Sequence, residues 1–262
     1  MSQDHSSTVN PFALAKDSPR TERALSDQHE RGGFVPGLTL GMLAVVLTGF
    51  GPTFLLRILF DVPDIPTYLI LHGAVSTTWF VLLFVQSLLV GRGSLKLHGR
   101  LGMGGVVVAL AMVVSGVQTS LGMIPRRLAD GMHLDAAELE FLGLISSANF
   151  AFFLVFPTLV LLAVLSRRRP DVHRRLMLVA SISILGPAAI RISSWFGEIP
   201  NPITPIIVFG FLAALVFYDI STRGRPHAAT ILAATFAIAV NATFQLLGIG
   251  DAVIAHQIAS WG

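Results

Sequence analysis

The chain has 262 residues, 53% of them hydrophobic and only 13% charged, with a formal net charge of +3. A soluble domain is about 25% charged, so this composition, with a mean hydropathy of +0.72, belongs to a chain that crosses a membrane. There is no cysteine, which excludes disulfides, thiolate metal sites and a cysteine nucleophile, and the arginines border apolar runs, which argues against a nucleic-acid groove.

In chain order, residues 1–33 are polar, of mixed charge and without an apolar run. They read as a disordered cytoplasmic tail and not as a signal peptide. Seven apolar stretches follow, at about 34–60, 66–91, 97–124, 141–166, 172–195, 202–221 and 227–252. Each is long enough to cross roughly 30 Å of hydrocarbon as a helix, and helix is required because lipid offers no partner to a bare peptide group. The expected fold is therefore all-α: a polytopic membrane bundle of seven transmembrane helices over 34–252, built from helical hairpins, with 253–262 as a short external tail. Pro52, Pro157 and Pro187 fall inside the first, fourth and fifth stretches and predict kinks there. Gly102, Gly104, Gly105, Ala109 and Gly116 in the third predict close helix packing.

Basic residues set the orientation. Fourteen lie beside the tail and the second, fourth and sixth connections, including Arg92, Lys96, Arg100, Arg167 to Arg169, Arg174, Arg175, Arg223 and Arg225. Four lie on the other side (Arg57, Arg126, Arg127 and Arg191), with the acidic loop Asp130, Asp135, Glu138 and Glu140. The positive-inside rule then predicts a bacterial inner-membrane protein with its amino terminus cytoplasmic and its carboxyl terminus external. Tyr68, Trp195 and Tyr218 fall near span ends, as interface anchors do.

A short pattern repeats. Leu97-His98-Gly99-Arg100-Leu101 opens the third helix, Val172-His173-Arg174-Arg175-Leu176 opens the fifth, and Arg225-Pro226-His227 opens the seventh. Histidines 98, 173 and 227 thus share the cytoplasmic level, and Asp219 ends the sixth helix at the same depth. Three imidazoles and a carboxylate are a donor set for zinc or another transition metal, whose bound water could attack an ester or amide. Two of them, His98 and His173, could instead hold haem b by bis-imidazole ligation. A plain anchoring role at the headgroups is the structural alternative. A second polar layer lies in the outer half. His72 sits about 9 Å and Asn149 about 12 Å below the starts of their helices, and Gln118, Arg191, Asn241 and Gln245 come late in outward-running ones. These six could line a pocket for a lipid or quinone, or act as hydrogen-bonding glue between helices. His5, His29, His133 and His256 fall in tails or loops and receive no role.

The layout is similar to membrane zinc hydrolases of the adiponectin-receptor type, with Ile231 standing where their last helix carries a second histidine. In its candidate pair it resembles membrane cytochromes b and ferric-reductase-like proteins. The Leu-His-x-Arg-Leu-Gly, Pro-x-x-His-x-Arg-Leu-Met and Tyr-Asp-x-x-x-Arg-Gly-Arg-x-His segments resemble a family of bacterial multipass membrane proteins, which implies the fold and no particular activity. Retinal binding is excluded, since a Schiff base needs a lysine in the bundle and the lysines are Lys16 and Lys96. Enzymatic status, substrate and oligomeric state stay open at this level. The other class in play is a noncatalytic membrane subunit or transporter.

Overall fold

The computed structural model describes residues 19–59, 65–131, 134–197 and 202–260, with side chains from Gly33 onward apart from Ile58. Ten α-helices follow one another: α1 (Pro19–Phe50), α2 (Thr67–Gly91), α3 (Leu95–Leu121), α4 (Met123–Ala129), α5 (Ala136–Leu165), α6 (Pro170–Ser183), α7 (Gly186–Ser193), α8 (Ile203–Arg223), α9 (Ala228–Leu246) and α10 (Ile249–Ala259). Among the described residues there is no strand. Six helical segments are long and apolar enough to cross a membrane, the first of them Gly33–Leu55, and the count becomes seven if α6 and α7 make one bent span. The expected all-α membrane bundle is what the chain forms.

Proline and glycine explain the interruptions. Pro52 cannot donate into the α1 ladder, and the helix widens there into a π-helical turn, Gly51–Leu55, closed by Leu56 N–H on Gly51 O at 2.8 Å. Pro187 breaks the fifth stretch in the same way, leaving α6 and α7 at 42° to each other. Pro157, by contrast, is carried inside the 30-residue α5. Gly248 has a positive φ of 59° and turns the chain out of α9 into α10. This corrects the expected single seventh helix to residue 252 and the tail after it: residues 249–259 are helical and pack on α5 and α4. At the other end, helical backbone reaches back to Pro19 through part of the expected tail, while residues 1–18 lie outside the described residues.

The main core joins Met42 and Val46 of α1, Trp79 and Phe80 of α2, Val155, Phe156 and Leu159 of α5, and Leu178, Val179 and Ile182 of α6. Polar pairs cross it as well. Trp79 Nε1 donates to Ser181 Oγ at 3.2 Å and the Thr39 and Ser87 hydroxyls meet at 3.0 Å, the interhelical glue available where the hydrophobic effect is weak. Large side chains such as Phe217, Leu232 and Leu246 point outward, as lipid permits. In α3, Gly105 lies against Leu82 and Gly116 against Phe153 and His72, while Gly99 and Gly104 face open space. The first two expected hairpins, α2/α3 and α5/α6, are packed pairs; α8 rests chiefly on α7 and only at its edge on α9.

A second core, Ile124, Leu142 and Ile254, seats α10. There the backbones nearly touch: Gly250 N–H donates to Ser147 Oγ at 2.8 Å, and a Cβ on Gly250 would stand 2.0 Å from Gly143 O. Gly250→Val must therefore pry α10 from α5, at a cost of about 1–3 kcal/mol from overpacking, read as a lower melting temperature of the detergent-solubilised protein.

Candidate functional site

Consecutive spans alternate in direction, so one end of the bundle gathers the starts of α1, α3, α6 and α9 and the ends of α2, α5 and α8. Contacts across that end are direct: Phe34 stacks on Tyr218 at 4.2 Å, Arg174 lies over the same ring at 5.7 Å, and Arg223 reaches Asp171 at 3.4 Å. This is the arginine-rich end, and it holds all four residues of the expected inner layer.

They do not form one donor set. Asp219 is fully buried and belongs to Arg175, itself 1% exposed. Its Oδ1 accepts from Arg175 Nε at 2.8 Å and from a terminal nitrogen of the same guanidinium. Its Oδ2 accepts from the Thr230 hydroxyl at 2.5 Å and from His227 N–H at 3.2 Å. The remaining Arg175 nitrogen donates to Asp171 O at 2.9 Å. A buried carboxylate survives in a low dielectric only with such partners, and their number leaves no oxygen for a cation. His227 is also engaged: it caps α9, its Nδ1 accepting from Ala229 N–H at 3.0 Å. Partial burial, then the cations of Arg175 and Arg223, hold this imidazole below the usual histidine range. Among the described residues no three His, Cys, Asp or Glu side chains are arranged to hold a metal ion. The expected zinc-type site of His98, His173, His227 and Asp219 is corrected accordingly, because ion pairing and capping claim two of its members.

The other two do meet. The His98 and His173 rings lie 6.2 Å apart, centre to centre, with their planes perpendicular. His173 Nδ1 is 2.8 Å from Ala163 O, at the end of α5. A carbonyl only accepts, so Nδ1 carries a proton, which in the neutral ring makes Nε2 the acceptor. On His98, Nδ1 is buried with no hydrogen-bond partner, and so is Oε1 of Gln86 on α2.

The expected outer layer is dispersed over the opposite end. His72 pairs with Ser115 Oγ at 3.0 Å and lies 3.5 Å from the Ser76 hydroxyl. Arg191 is exposed, donates to Pro187 O at 2.8 Å and lies over Phe50 at 4.3 Å. Gln245 Nε2 donates to Leu144 O at 3.0 Å. Gln118 is exposed, Asn149 and Asn241 are half-buried, and among the described residues no side-chain hydrogen bond links these six to one another. The best-defined hollows lie elsewhere, one of about 580 Å³ between α1 and α8 lined by Phe34, Leu38, Ile207 and Phe211, the other on the outer face of α8.

Sequence reading missed Arg175, Thr230 and Gln86. In the sequence Arg175 stands as a topogenic charge and as the arginine of the repeated pattern, with nothing to mark its pairing with Asp219. Thr230, three residues into α9, is a hydroxyl where helix starts favour one. Gln86 carried no signal beyond being polar within a span.

Fold and site together define a polytopic α-helical integral membrane protein. No protein-family model, curated protein or solved structure matches the chain.

Two expectations follow. Asp219→Ala strands the Arg175 guanidinium among apolar side chains and costs about 3–5 kcal/mol, whereas Arg175→Met combined with Asp219→Leu recovers most of that, measured by thermal unfolding in detergent. His227 must be neutral to cap α9, and its folded-state pKa is lowered. The unfolded chain therefore binds the proton first, and stability falls as pH drops through about 6.5. His227→Asn, which caps without titrating, flattens the melting-temperature profile between pH 8 and 5.

Proposed function

We propose that this is an inner-membrane protein, amino terminus cytoplasmic, that carries a b-type haem between His98 and His173. The observation that supports the reading is the spacing of the two rings. An imidazole–metal bond is about 2 Å and the ring centre lies about 1 Å behind the bonding nitrogen, so two rings sharing one metal stand about 6 Å apart. The separation here is 6.2 Å, with perpendicular planes. The tautomer of His173 suits the role, since a ligating histidine gives its other N–H to a carbonyl and offers Nε2 to the metal.

Ligand number separates haem from zinc. Once Asp219 and His227 are committed elsewhere, two imidazoles remain, His98 and His173, and these would hold the haem. A zinc site takes three or four protein donors. The surroundings favour the same ligand. Lys96, Arg100 and Arg169 flank the pair in sequence, and the carboxylate groups of a haem are stabilised by such cations. When bound, the group would supply one-electron chemistry. The chain's own residues would hold the two rings and, at His173, one tautomer. The orientation rests on the fourteen-to-four distribution of basic residues.

The test is the absorption spectrum of the detergent-purified protein. A Soret band near stoichiometry, lost in His98→Ala and His173→Ala but kept in His227→Ala, is the expected result. No band in protein produced with ample haem precursor, or equal loss in all three variants, overturns the reading and leaves the histidines as headgroup anchors.

A further inference from the structure

The hollow between α1 and α8 is lined by apolar side chains and two glycines, Gly37 and Gly210, with no polar side chain among them. Neither glycine serves the backbone or close packing. Both stand inside helices, neither has a positive φ, and a Cβ at either would meet no atom within 4 Å. A glycine inside a helix costs stability relative to alanine, so what these two positions supply is empty space. From Phe34 to Val45 the hollow follows α1 over about 16 Å at the helical rise, one half of a hydrocarbon layer of roughly 30 Å. Its volume of about 580 Å³ falls within the roughly 300–1,000 Å³ of small-ligand sites.

One end of the hollow is charged. Phe34 lines it and also stacks on Tyr218 at 4.2 Å, and Arg174 lies over that same ring at 5.7 Å. Asp219 is taken up by Arg175, and Asp171 is shared: it lies 3.9 Å from Arg174, 3.9 Å from Arg175 and 3.4 Å from Arg223. Three guanidinium groups against two carboxylates leave a positive charge unbalanced, with Arg174 half-buried and Arg223 exposed. We infer that this is the seat of one anionic phospholipid, an acyl chain lying in the hollow between Gly37 and Gly210 and the phosphate meeting Arg174 and Arg223 at its end. Guanidinium groups pair well with phosphate, and basic pockets between membrane helices take anionic headgroups. A second copy of the chain fits less well, because in a membrane it would run parallel and bring the same arginines against each other. The haem reading plays no part in this site.

The test is native mass spectrometry of the full-length protein in mild detergent with three probes. Dioleoylphosphatidylglycerol carries chains and a negative charge, dioleoylphosphatidylcholine has the same chains and no net charge, and glycerol 3-phosphate has the phosphate alone. The wild type is expected to hold one phosphatidylglycerol per chain, at least about 5-fold tighter than phosphatidylcholine, and to keep it against an equal concentration of glycerol 3-phosphate. Arg174→Gln is expected to weaken phosphatidylglycerol about 5-fold and leave phosphatidylcholine unchanged. Gly210→Leu fills the hollow from a position with room for a side chain. It is expected to weaken both lipids about 10-fold while melting no lower than the wild type. Equal retention of the two lipids by the wild type, displacement by glycerol 3-phosphate, or unchanged binding in Gly210→Leu overturns the inference. A dimer that Gly210→Leu dissolves overturns it too, by making the hollow an interface between copies. Should Gly210→Leu not fold, Gly37→Leu on the facing wall decides by the same two outcomes.

Discussion

The carboxylate of Asp219 is the point on which the arginine-rich end of the bundle is organised. It is wholly buried, and it ties α8 to α6 through Arg175 and to α9 through Thr230 and the His227 backbone. Burying an unpaired charge at such a place would cost far more than a typical domain's margin of stability, so the three helices can come together only in the register that pairs it. That register places the first turn of α6, and with it His173, beside the end of α5 and opposite His98. The geometry of the histidine pair is in this sense a consequence of an ion pair it does not belong to.

Polarity is distributed unequally between the two ends. At the arginine-rich end it is concentrated into a connected network and an adjacent pair of rings. At the opposite end the hydrogen bonds are separate and local: His72 meets a serine, Gln245 a helix carbonyl, Gln257 the carbonyl of Leu121 at 3.0 Å. Dispersed bonds of this kind hold helices together, and a connected network can also set the position of a ligand-bearing side chain.

The sequence made the bundle legible because the constraint is severe: runs of about 20 apolar residues admit only helix in lipid, and fourteen basic residues on one side mark the helix ends. Depth could be counted along each helix, so the meeting of His98 with His173 at one level was accessible. Azimuth could not. Whether Asp219 faces a metal, a neighbour or lipid depends on which neighbour stands beside it, and Arg175, forty-four residues away, read as one arginine among many. The end of the last helix is hidden for a related reason. Residues 249–259 are apolar enough to continue a span, and only the left-handed conformation of Gly248 turns them onto Gly143 and Ser147. For His227 the residue type suggests a ligand, whereas its place just before a helix start makes it a cap.

The break between α6 and α7 bears on how the chain is made. At that bend the backbone leaves the helical ladder where Leu185, Ala188 and Ala189 are sealed among neighbouring helices, the circumstance in which irregular backbone is tolerated at membrane depth. The same segment carries Arg174, Arg175 and Arg191 together with Ser181 and Ser183, and such residues oppose partitioning from the translocon into lipid. Alone it is a poor insertion candidate. Its seat is made by α1 and α5, both synthesised earlier, and its charge is neutralised by α8, synthesised later. Taken as one bent span, α6 and α7 would owe their seat to helices made earlier and the neutralisation of Arg175 to Asp219, made later.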